Sequence, residues 1–433
     1  MKILFVQPNY PPTTGFIEHV ALRLWTTPSI TLQQLATITP NHHSVELLNE
    51  AFQKPDFSHN YDLVAISCCT PTAPRAYSIA DEFRQRGSTI VLGGYHPSAL
   101  PQEAKQHADS VVIGEAENVW PTVLHDVENK TLQPFYHSTI PADISHLPPL
   151  KQGIGEKALW TNRIEATRGC PLRCEFCSLS NVQIEWHVFR KKPIAHVLRD
   201  LQAIPQKLLL FCDASMTIDL EYTKTLFRAM KDLDKKFMCF GNAHLLTKDQ
   251  EFLSLAQEAG CVMMNIGFES FDQTTMNAIG KGTNQVKEYK AVVKKVRDHG
   301  IAVNGQFIFG FDTDTVGIFR TTTEAINDLG VDAPSINILV PYPGTPLFNR
   351  LEDEGRILTK EWSQYSLDNV VFQPKQMSRD ELLEGTHQVS KTFYSSSSIL
   401  KRCLRSLTLG FSPAFLVTGQ NLYARGFYRQ ISF

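Results

Sequence analysis

The stretch "ATRGCPLRCEFCSLS" contains three of the chain's nine cysteines, at Cys170, Cys174 and Cys177. Structural zinc sites usually have four ligands and commonly use paired C-x2-C motifs, but this chain has no second pair to complete such a site. Iron–sulfur clusters that only transfer electrons are also held by four cysteines. Three cysteines therefore predict a cluster with one iron open to a substrate or cofactor. The alternatives are structural zinc and cysteines that bind no metal.

Charge and the amino-terminal sequence restrict the functional classes open to the chain. Its 433 residues have 44 acidic and 42 basic side chains and a formal net charge of −2. This balance gives no electrostatic reason to expect a nucleic-acid partner. The start, "MKILFVQPNYPPTT", indicates a strand and a proline-rich turn rather than a secretory signal, and no apolar run is long enough to predict a transmembrane helix. We expect a cytoplasmic protein with reduced cysteines.

The first 143 residues alternate short apolar runs with helix-like stretches. This pattern predicts an α/β domain whose doubly wound parallel sheet has helices on both faces. The predicted strands are 3–7, 45–48, 63–67, 89–92 and 110–113. Ligands of such sheets bind beyond the carboxyl ends of the strands. In this chain those ends carry "SCCTPTAPR", "GGYHPSALP" and "GEAEN".

A second α/β unit is predicted after a linker at residues 144–160. Six strand–helix units between residues 161 and 346 indicate a partial (β/α)6 barrel. The predicted strands are 163–167, 207–212, 237–241, 262–267, 303–309 and 335–340. Residues 347–433 are predicted to be mainly helical, since "SRDELLEGTHQVSKTFY" has a serine cap and helical spacing. The last stretch mixes basic and large apolar residues; we expect a packed helix, with contact to a membrane surface as the alternative.

Polar residues and glycines recur on one parity of the predicted barrel strands. Alternate side chains of a strand face the same side, so one parity lines the interior. A barrel core without a ligand is expected to contain branched apolar residues here. The interior set instead contains Asn265, Gly267, Glu269, Asn304, Gln306, Ile308 and Gly310, and the second strand ends at Asp213. This pattern predicts space and hydrogen bonds for a ligand, although each polar residue alone also fits a structural role.

The cysteine spacing, with Phe176 before the last cysteine, resembles the radical S-adenosylmethionine superfamily. The resemblance implies a [4Fe–4S] cluster whose open iron binds the amino and carboxylate groups of S-adenosylmethionine. Reductive cleavage then gives a 5′-deoxyadenosyl radical that abstracts hydrogen from a C–H bond. The segments "IFGFDTDT" and "GFES" resemble the family's fifth and fourth strand ends. Where many members have Gly-Gly-Glu on the second strand, this chain has "FCDASMT". The candidate S-adenosylmethionine contacts are Phe176, Asp213, Glu269, Gln306, Ile308 and Gly310.

The N-terminal domain resembles the cobalamin-binding subclass of this superfamily. The matching stretches are "TTPSITLQQLATITP", "VAISCCT", "VLGGYHPSALPQEA" and "SVVIGEAENVW". The candidate cobalamin contacts are Ser67, Gly93, Gly94, His96, Gly114 and Glu115. The D-x-H-x-x-G motif of histidine-ligated cobalamin proteins is absent, so we expect residues 67–75 to cover the lower face without a histidine ligand. The alternative is a domain that has lost cobalamin and serves as a lid or partner surface.

The subclass implies methylation of an unactivated carbon. Relatives with this outline act on hopanoid lipids, bacteriochlorophyll precursors and natural products, and the apolar tail favours a hydrophobic substrate, such as a lipid or tetrapyrrole, capped by the C-terminal helices. "LVPYPGTPLF" resembles the family's "PGT" turn, with Tyr342 and Thr345 at the mouth. The catalytic candidates are Asp213, Glu269 and Tyr342, and the expected electron donor is flavodoxin- or ferredoxin-like. The alternatives are radical oxidation, cyclisation or ring formation, with or without cobalamin, and a non-enzymatic iron–sulfur or zinc protein.

Overall fold

The computed structural model describes residues 1–9, 29–151, 160–182, 188–246 and 248–431. Two six-stranded sheets, parallel throughout, organise the described chain. Part of the predicted linker, residues 152–159, and most of the loop "QPNYPPT" lie outside the described residues. So does the beginning of "TTPSITLQQLATITP".

The N-terminal sheet confirms the predicted doubly wound fold. Its strands are β1 (Lys2–Gln7), β2 (Ser44–Asn49), β3 (Leu63–Ser67), β4 (Thr89–Gly93), β5 (Ser110–Ile113) and β6 (Phe135–His137). They lie in the order β2-β1-β3-β4-β5-β6. The sixth strand was not predicted, because a segment of only three residues shows no periodicity.

Helices cover both faces of this sheet. They are α1 (Ile30–Ile38), α2 (Ala73–Gln85), α3 (Tyr95–Ala99), α4 (Pro101–Ala104) and α5 (Trp120–Asn129). Alternate residues of β1 divide between two apolar cores: Leu4 packs with Phe83 of α2, whereas Phe5 packs with Trp120 of α5. Because both faces are filled by apolar side chains, the polar groups of this sheet are left for its strand ends.

The second sheet confirms the predicted partial barrel. Its strands are β7 (Thr161–Ile164), β10 (Leu208–Phe211), β11 (Lys236–Gly241), β12 (Cys261–Glu269), β13 (Ala302–Phe309) and β14 (Ala333–Ile338), adjacent in that order. Two short strands, β8 (Thr167–Arg168) and β9 (Arg190–Lys191), pair antiparallel on either side of the cysteine loop. The helices along this sheet are α6 (Ser178–Asn181), α7 (Ile194–Ala203), α8 (Leu220–Met230), α9 (Ala243–Leu246), α10 (Gln250–Glu258), α11 (Gln273–Ala278), α12 (Tyr289–Asp298) and α13 (Ile318–Leu329).

The C-terminal region is mainly helical, as predicted. Its helices are α14 (Pro346–Asp353), α15 (Arg379–Phe393), α16 (Ser396–Ser406) and α17 (Phe411–Ile431). The predicted serine cap is present, since Ser378 and Glu381 form a reciprocal capping box at the start of α15.

Helix α17 does not lie at the position expected for a substrate cap. Its Leu416 and Val417 pack against Met263 and Ala302, which lie in the amino-terminal halves of β12 and β13. Carboxyl strand ends hold the active sites of barrels, so α17 covers the opposite end. No helix among the described residues combines the length and apolar composition needed to cross a lipid bilayer.

Candidate active site between the two sheets

A cavity of about 430 Å³ lies where the carboxyl ends of the two sheets meet. One wall, which we call the N-terminal wall, comes from the ends of β1, β3, β4 and β5 and from α1. The other, the barrel wall, comes from β7, β8, the end of β10 and residues on either side of the three cysteines, namely Gly169, Leu179 and Ser180. The three cysteines themselves are not among the lining residues. Parallel sheets present their ligand sites at carboxyl strand ends, so two such ends facing each other provide one site with two walls.

The cysteine loop begins directly after β8 and is closed by α6. The Asn181 amide group donates hydrogen bonds to the carbonyls of Cys174 (2.9 Å) and Cys177 (2.7 Å), and these bonds hold the loop's last turn. The three sulfurs do not all lie within 4.8 Å of one another. A single zinc with Zn–S distances of about 2.3 Å would bring its sulfurs to within about 4 Å of each other. The wider spacing of Cys170, Cys174 and Cys177 fits a multi-iron cluster better.

Burial keeps two of these thiols protonated before metal binds. It raises the pKa of Cys174 to about 11 and also raises that of Cys170. Metal ligation requires thiolates, so cluster assembly must displace these protons.

A buried ion pair lies beside the thiols. The Lys281 ammonium donates to Glu269 at 2.5 Å and to the Gly267 carbonyl at 3.1 Å. Burial opposes the charged lysine, but its ion pair with the Glu269 carboxylate raises its pKa overall. A Cβ at Gly267 would lie 2.7 Å from the lysine nitrogen, so a larger residue there would displace the side chains of the ion pair.

The backbone at Glu269 is strained. Its φ of 60° is unusual for a residue other than glycine, and such strain is commonly found at functional sites. Sequence reasoning selected Glu269 but missed Lys281, which is twelve positions further along the chain and follows α11. The only local signal was a basic residue in the glycine-bearing turn "IGKGT".

Asp213 fixes the main chain that leads into the cysteine loop. It is buried, and it accepts hydrogen bonds from the Thr167 backbone (2.5 Å), the Thr167 hydroxyl (2.6 Å) and the Ala166 backbone (3.3 Å). Burial raises its pKa to about 6, against the effect of these hydrogen bonds. The contacts give Asp213 a structural task; its contact with S-adenosylmethionine stays a prediction.

The other predicted S-adenosylmethionine contacts occupy two environments. Gln306 and Ile308 are half-buried on the interior parity of β13. Gly310 has a φ of 108°, and a Cβ there would lie 2.9 Å from Leu382 of α15, so its glycine is required by packing against the C-terminal region. The ring of Phe176 packs edge-on against that of Phe311, with centroids 6.1 Å apart.

Apart from Glu115 and Glu117, which follow β5, the N-terminal wall contains glycines and neutral polar groups. Gly93, Gly94 and Gly114 line it with Ser67, and their contact with cobalamin stays a prediction. At Gly94, φ is 101° and a Cβ would lie 2.5 Å from the Cys68 carbonyl oxygen. The requirement for glycine there comes from this close packing of two strand ends.

Two buried amide atoms of this wall lack a partner within the described part of the chain. They are the Oε1 of Gln7 and the Nε2 of Gln34, and both residues line the cavity. Buried polar groups normally have a partner. Cobalamin carries a ring of carboxamide groups, which donate and accept hydrogen bonds, so it fits the chemistry of this wall.

His96 is not among the residues that line the cavity. It is fully buried, and its ring nitrogens lie 3.3 Å from the Thr70 hydroxyl and 3.1 Å from Glu103. Glu103 also accepts from the Trp362 indole, at 2.9 Å. The structure therefore places His96 in the contact between the N-terminal domain and the C-terminal region, and its contact with cobalamin stays a prediction.

Tyr342 and Thr345 also lie outside the cavity lining. Thr345 is the buried cap of α14 and accepts from the Phe348 backbone at 3.2 Å. Tyr342 packs against the apolar cluster that contains Trp362. The "PGT" turn therefore starts a helix, and the catalytic role expected for Tyr342 stays a prediction.

Charged side chains meet where the barrel wall faces the end of β5. Glu115 accepts from Arg190 at 2.6 and 2.7 Å. Burial alone would raise the pKa of the Glu115 carboxyl, but Arg190 and Arg168 lower it overall. Arg168 donates to Glu117 (2.7 Å) and Glu165 (2.9 Å). These pairs join the end of β5 to the cysteine loop.

Tyr95 is a cavity residue that sequence reasoning did not select. It follows Gly94 on the N-terminal wall and lines the space that both sheets share. Burial and the nearby charge of Cys177 raise its pKa to about 12, against the effect of Arg168, so its phenol stays protonated at neutral pH. Its position was not predictable, because the facing of the two walls is a property of the tertiary fold.

Comparison with protein-family models identifies both halves of this site. A model described as the radical SAM superfamily matches residues 164–326, and one described as the B12 binding domain matches residues 27–124. A domain of unknown function, DUF4070, matches residues 345–415.

Two curated relatives come from Chlorobaculum tepidum. Bacteriochlorophyllide d C-12(1)-methyltransferase is 31% identical over 93% of this chain and 89% of its own length. Bacteriochlorophyllide d C-8(2)-methyltransferase is 31% identical over 86% of each chain. A solved structure of the radical S-adenosylmethionine methyltransferase TsrM from Kitasatospora setae, with cobalamin and a [4Fe–4S] cluster bound, covers 100% of both chains with a TM-score of 0.74 and 14% identity. This last likeness concerns the fold.

Proposed function

We propose that this chain, which belongs to the cobalamin-binding family of radical S-adenosylmethionine enzymes, methylates an unactivated carbon of a hydrophobic, tetrapyrrole-type substrate. The observation that carries the proposal is the single cavity whose opposite walls are the carboxyl end of a B12-binding sheet and the end of a barrel with three cysteines. A substrate in this cavity is within reach of both walls.

The cofactors are a [4Fe–4S] cluster, S-adenosylmethionine and cobalamin. When bound, they supply a hydrogen-abstracting radical and a transferable methyl group, and such chemistry belongs to the cofactors. The protein's contribution is to hold the three groups around one substrate carbon and to keep water away.

Cys170, Cys174 and Cys177 would hold the cluster. We assign the methionine part of S-adenosylmethionine to the ion pair of Lys281 and Glu269, which lies beside these thiols. The ammonium of Lys281 suits the cofactor's carboxylate, and the carboxylate of Glu269 suits its amino group. A buried ion pair supplies both charges already dehydrated and oriented, which lowers the cost of organising the site.

Gln7, Gln34 and Ser67 would hold cobalamin on the N-terminal wall. The unsatisfied amides of Gln7 and Gln34 gain partners when a ligand rich in carboxamides binds, and each such pairing removes a desolvation penalty of about 1–3 kcal/mol. His96 is already bonded to Thr70 and Glu103, so this assignment leaves the cobalt without a histidine ligand.

The substrate class rests on relatives and on the site. Both Chlorobaculum tepidum enzymes methylate bacteriochlorophyllide d according to their names. The cavity of about 430 Å³ is within the usual range for small-molecule sites. An external flavodoxin- or ferredoxin-like protein supplies the electron, and exposed Arg173 on the cysteine loop offers a positive charge to an acidic donor.

We also propose that the C-terminus contacts an anionic membrane surface. Residues 385–433 contain six lysines and arginines and no acidic residue. Helices α16 and α17 expose Leu400, Leu404, Phe411 and Phe415, a combination typical of interfacial helices. The protein should sediment with phosphatidylglycerol vesicles and not with phosphatidylcholine vesicles, and Phe411→Ser should reduce the bound fraction. Equal binding to both vesicle types would contradict the contact.

Product analysis tests the proposed reaction. Anaerobically reconstituted enzyme should be supplied with a bacteriochlorophyllide and with S-adenosylmethionine that carries a deuterated methyl group. The expected result is a substrate that gains the labelled methyl, together with 5′-deoxyadenosine and S-adenosylhomocysteine. An unlabelled oxidised or cyclised product would favour the other radical chemistry, and absence of 5′-deoxyadenosine would contradict the enzyme class.

A further inference from the structure

Arg163 is a cavity arginine that has no carboxylate partner within the described part of the chain. It lies on β7, shares its parity with Glu165, and lines the barrel wall. The residue is half-buried, but its Nε is fully buried and has no hydrogen-bond partner among the described residues. A buried polar nitrogen without a partner is uncommon.

The other two arginines of the cavity are each paired with glutamates. Arg168 is paired with Glu117 and Glu165, and Arg190 is paired with Glu115. All three glutamates of the cavity lining are therefore bound to these two arginines. The site offers Arg163 no further carboxylate from its own lining.

The neighbouring thiol does not neutralise Arg163. Cys212 lies at the end of the adjacent strand β10, and burial raises its pKa to about 12 although the charge of Arg163 acts to lower it. The thiol is therefore neutral at neutral pH. Lys192 approaches Glu165 within 3.7 Å from the other side, which further satisfies the carboxylate nearest to Arg163 in the sequence.

We propose that the substrate carries a free carboxylate and that Arg163 binds it. This inference rests on the proposed function and narrows its substrate class to an apolar ring system with an acidic side chain. The planar guanidinium matches a carboxylate with two parallel hydrogen bonds. Its place on the barrel wall sets it apart from Gln7 and Gln34 on the opposite wall, and from the Lys281–Glu269 pair, which follows β12.

Anchoring through Arg163 has a consequence for the reaction. One end of a planar hydrophobic substrate would be fixed at β7, so a carbon at its other end would be presented in the space between the two walls. A single charged anchor that fixes orientation in a mostly apolar ligand is the usual arrangement in small-molecule sites, and orientation is a major part of catalysis.

Binding of chlorophyllide a and of its methyl ester to the reconstituted holoenzyme tests the inference, with quenching of pigment fluorescence as the readout. Wild type should bind the acid about 10- to 100-fold more tightly, as expected for hydrogen bonds to charged groups. Arg163→Met should bind both forms with the affinity of the ester. Arg163→Lys should keep part of the preference, since it retains the charge and loses the planar fork.

Arg228→Met is the matched control, because Arg228 pairs with Glu251 at the surface; it should retain the full preference. Equal binding of acid and ester by wild type, or an acid preference that survives in Arg163→Met, would overturn the inference. Loss of bound cobalamin from Arg163→Met, read from its absorbance, would assign Arg163 to that cofactor and also overturn it. If neither pigment binds wild type, the tetrapyrrole class itself is wrong, and this inference fails with it.

Discussion

The two walls of the cavity are both carboxyl ends of parallel sheets, but their chemistry differs. The N-terminal wall presents glycines, amides and a hydroxyl, with Gln7 and Gln34 unsatisfied. The barrel wall presents three arginines and Glu165, and two of the arginines pair with Glu115 and Glu117, which follow β5 on the N-terminal side. Strand ends provide a place for a ligand, and the residues on them decide which ligand it is. The uncharged part of the N-terminal wall suits a large amide-bearing cofactor, whereas the charged barrel wall suits small ionic groups.

The largest expected effect comes from a substitution that removes the metal from the barrel side alone. Cys174→Ala should abolish 5′-deoxyadenosine formation because a cluster with two remaining ligands is not retained. Cobalamin binding on the other wall should persist, as measured by absorbance after anaerobic reconstitution. Cys403→Ala, on α16, is the control and should cleave S-adenosylmethionine normally. Retained cleavage by Cys174→Ala would contradict the assignment of the loop.

A second substitution disturbs only the N-terminal wall. Gly94→Ala combines a positive φ with a Cβ 2.5 Å from the Cys68 carbonyl. We expect the variant to lose cobalamin and to lower the free energy of unfolding by more than about 2 kcal/mol. Gly87→Ala has a similar φ of 89° with no atom within 4 Å, so it should cost about 1–2 kcal/mol and keep cobalamin. Denaturant titration measures the free energy of unfolding of both variants, and absorbance measures their bound cobalamin. Equal results for the two variants would contradict a role for the packing at Gly94.

A third substitution tests the ion pair beside the thiols. Lys281→Met should weaken binding of S-adenosylmethionine by about 10- to 100-fold, since hydrogen bonds to charged groups contribute about 1.5–3 kcal/mol. Iron content should remain close to wild type, because Lys281 is not a ligand. Lys290→Met, which removes an exposed pair with Asp328, should leave affinity unchanged. Equilibrium dialysis measures the affinity; an unchanged value for Lys281→Met would remove this residue from the cofactor site.

The smallest expected effect concerns Asp213 and pH. Its pKa of about 6 in the folded protein exceeds the ordinary value of 3.8, so the native state binds more protons than the unfolded state between these values. This group therefore lowers the free energy of unfolding as pH rises towards 6, and the loss levels off above about pH 7. In urea titrations from pH 5 to pH 7, the free energy of unfolding of the wild type minus that of Asp213→Asn should decrease as pH rises. A constant difference would contradict the raised pKa.

Most of the fold could be predicted because its elements are local. The periodicity of "LVAIS" and "SVVI" predicted β3 and β5 with the bounds observed, and the cysteine spacing predicted the metal loop. The parity of β13 predicted Gln306 and Ile308 on the barrel interior, and both are half-buried; their contact with S-adenosylmethionine stays a prediction. These features depend on neighbours along the chain, so the sequence alone contains them.

The other features could not be predicted from the sequence, because they depend on contacts between segments that are distant along the chain. The pairing of Lys281 with Glu269 crosses a helix, and the lack of a partner at Arg163 emerges only when three glutamates are seen bound elsewhere. An amphipathic pattern predicts that α17 is packed, but it does not say that the partner surface is the amino-terminal end of the barrel. The bonds of His96 to Thr70 and Glu103 have no local signature either, so the sequence did not show that His96 lies outside the cavity lining.

The central claim is that the two walls place their cofactors in one cavity. Pulsed electron paramagnetic resonance of the reduced holoenzyme tests it directly, since cob(II)alamin and a reduced [4Fe–4S] cluster are both paramagnetic. We expect a dipolar interaction between cob(II)alamin and the reduced cluster in the wild type. In Cys174→Ala, the cobalamin signal should no longer show this interaction. Two signals without mutual broadening, each identical to that of a singly reconstituted sample, would contradict the central claim.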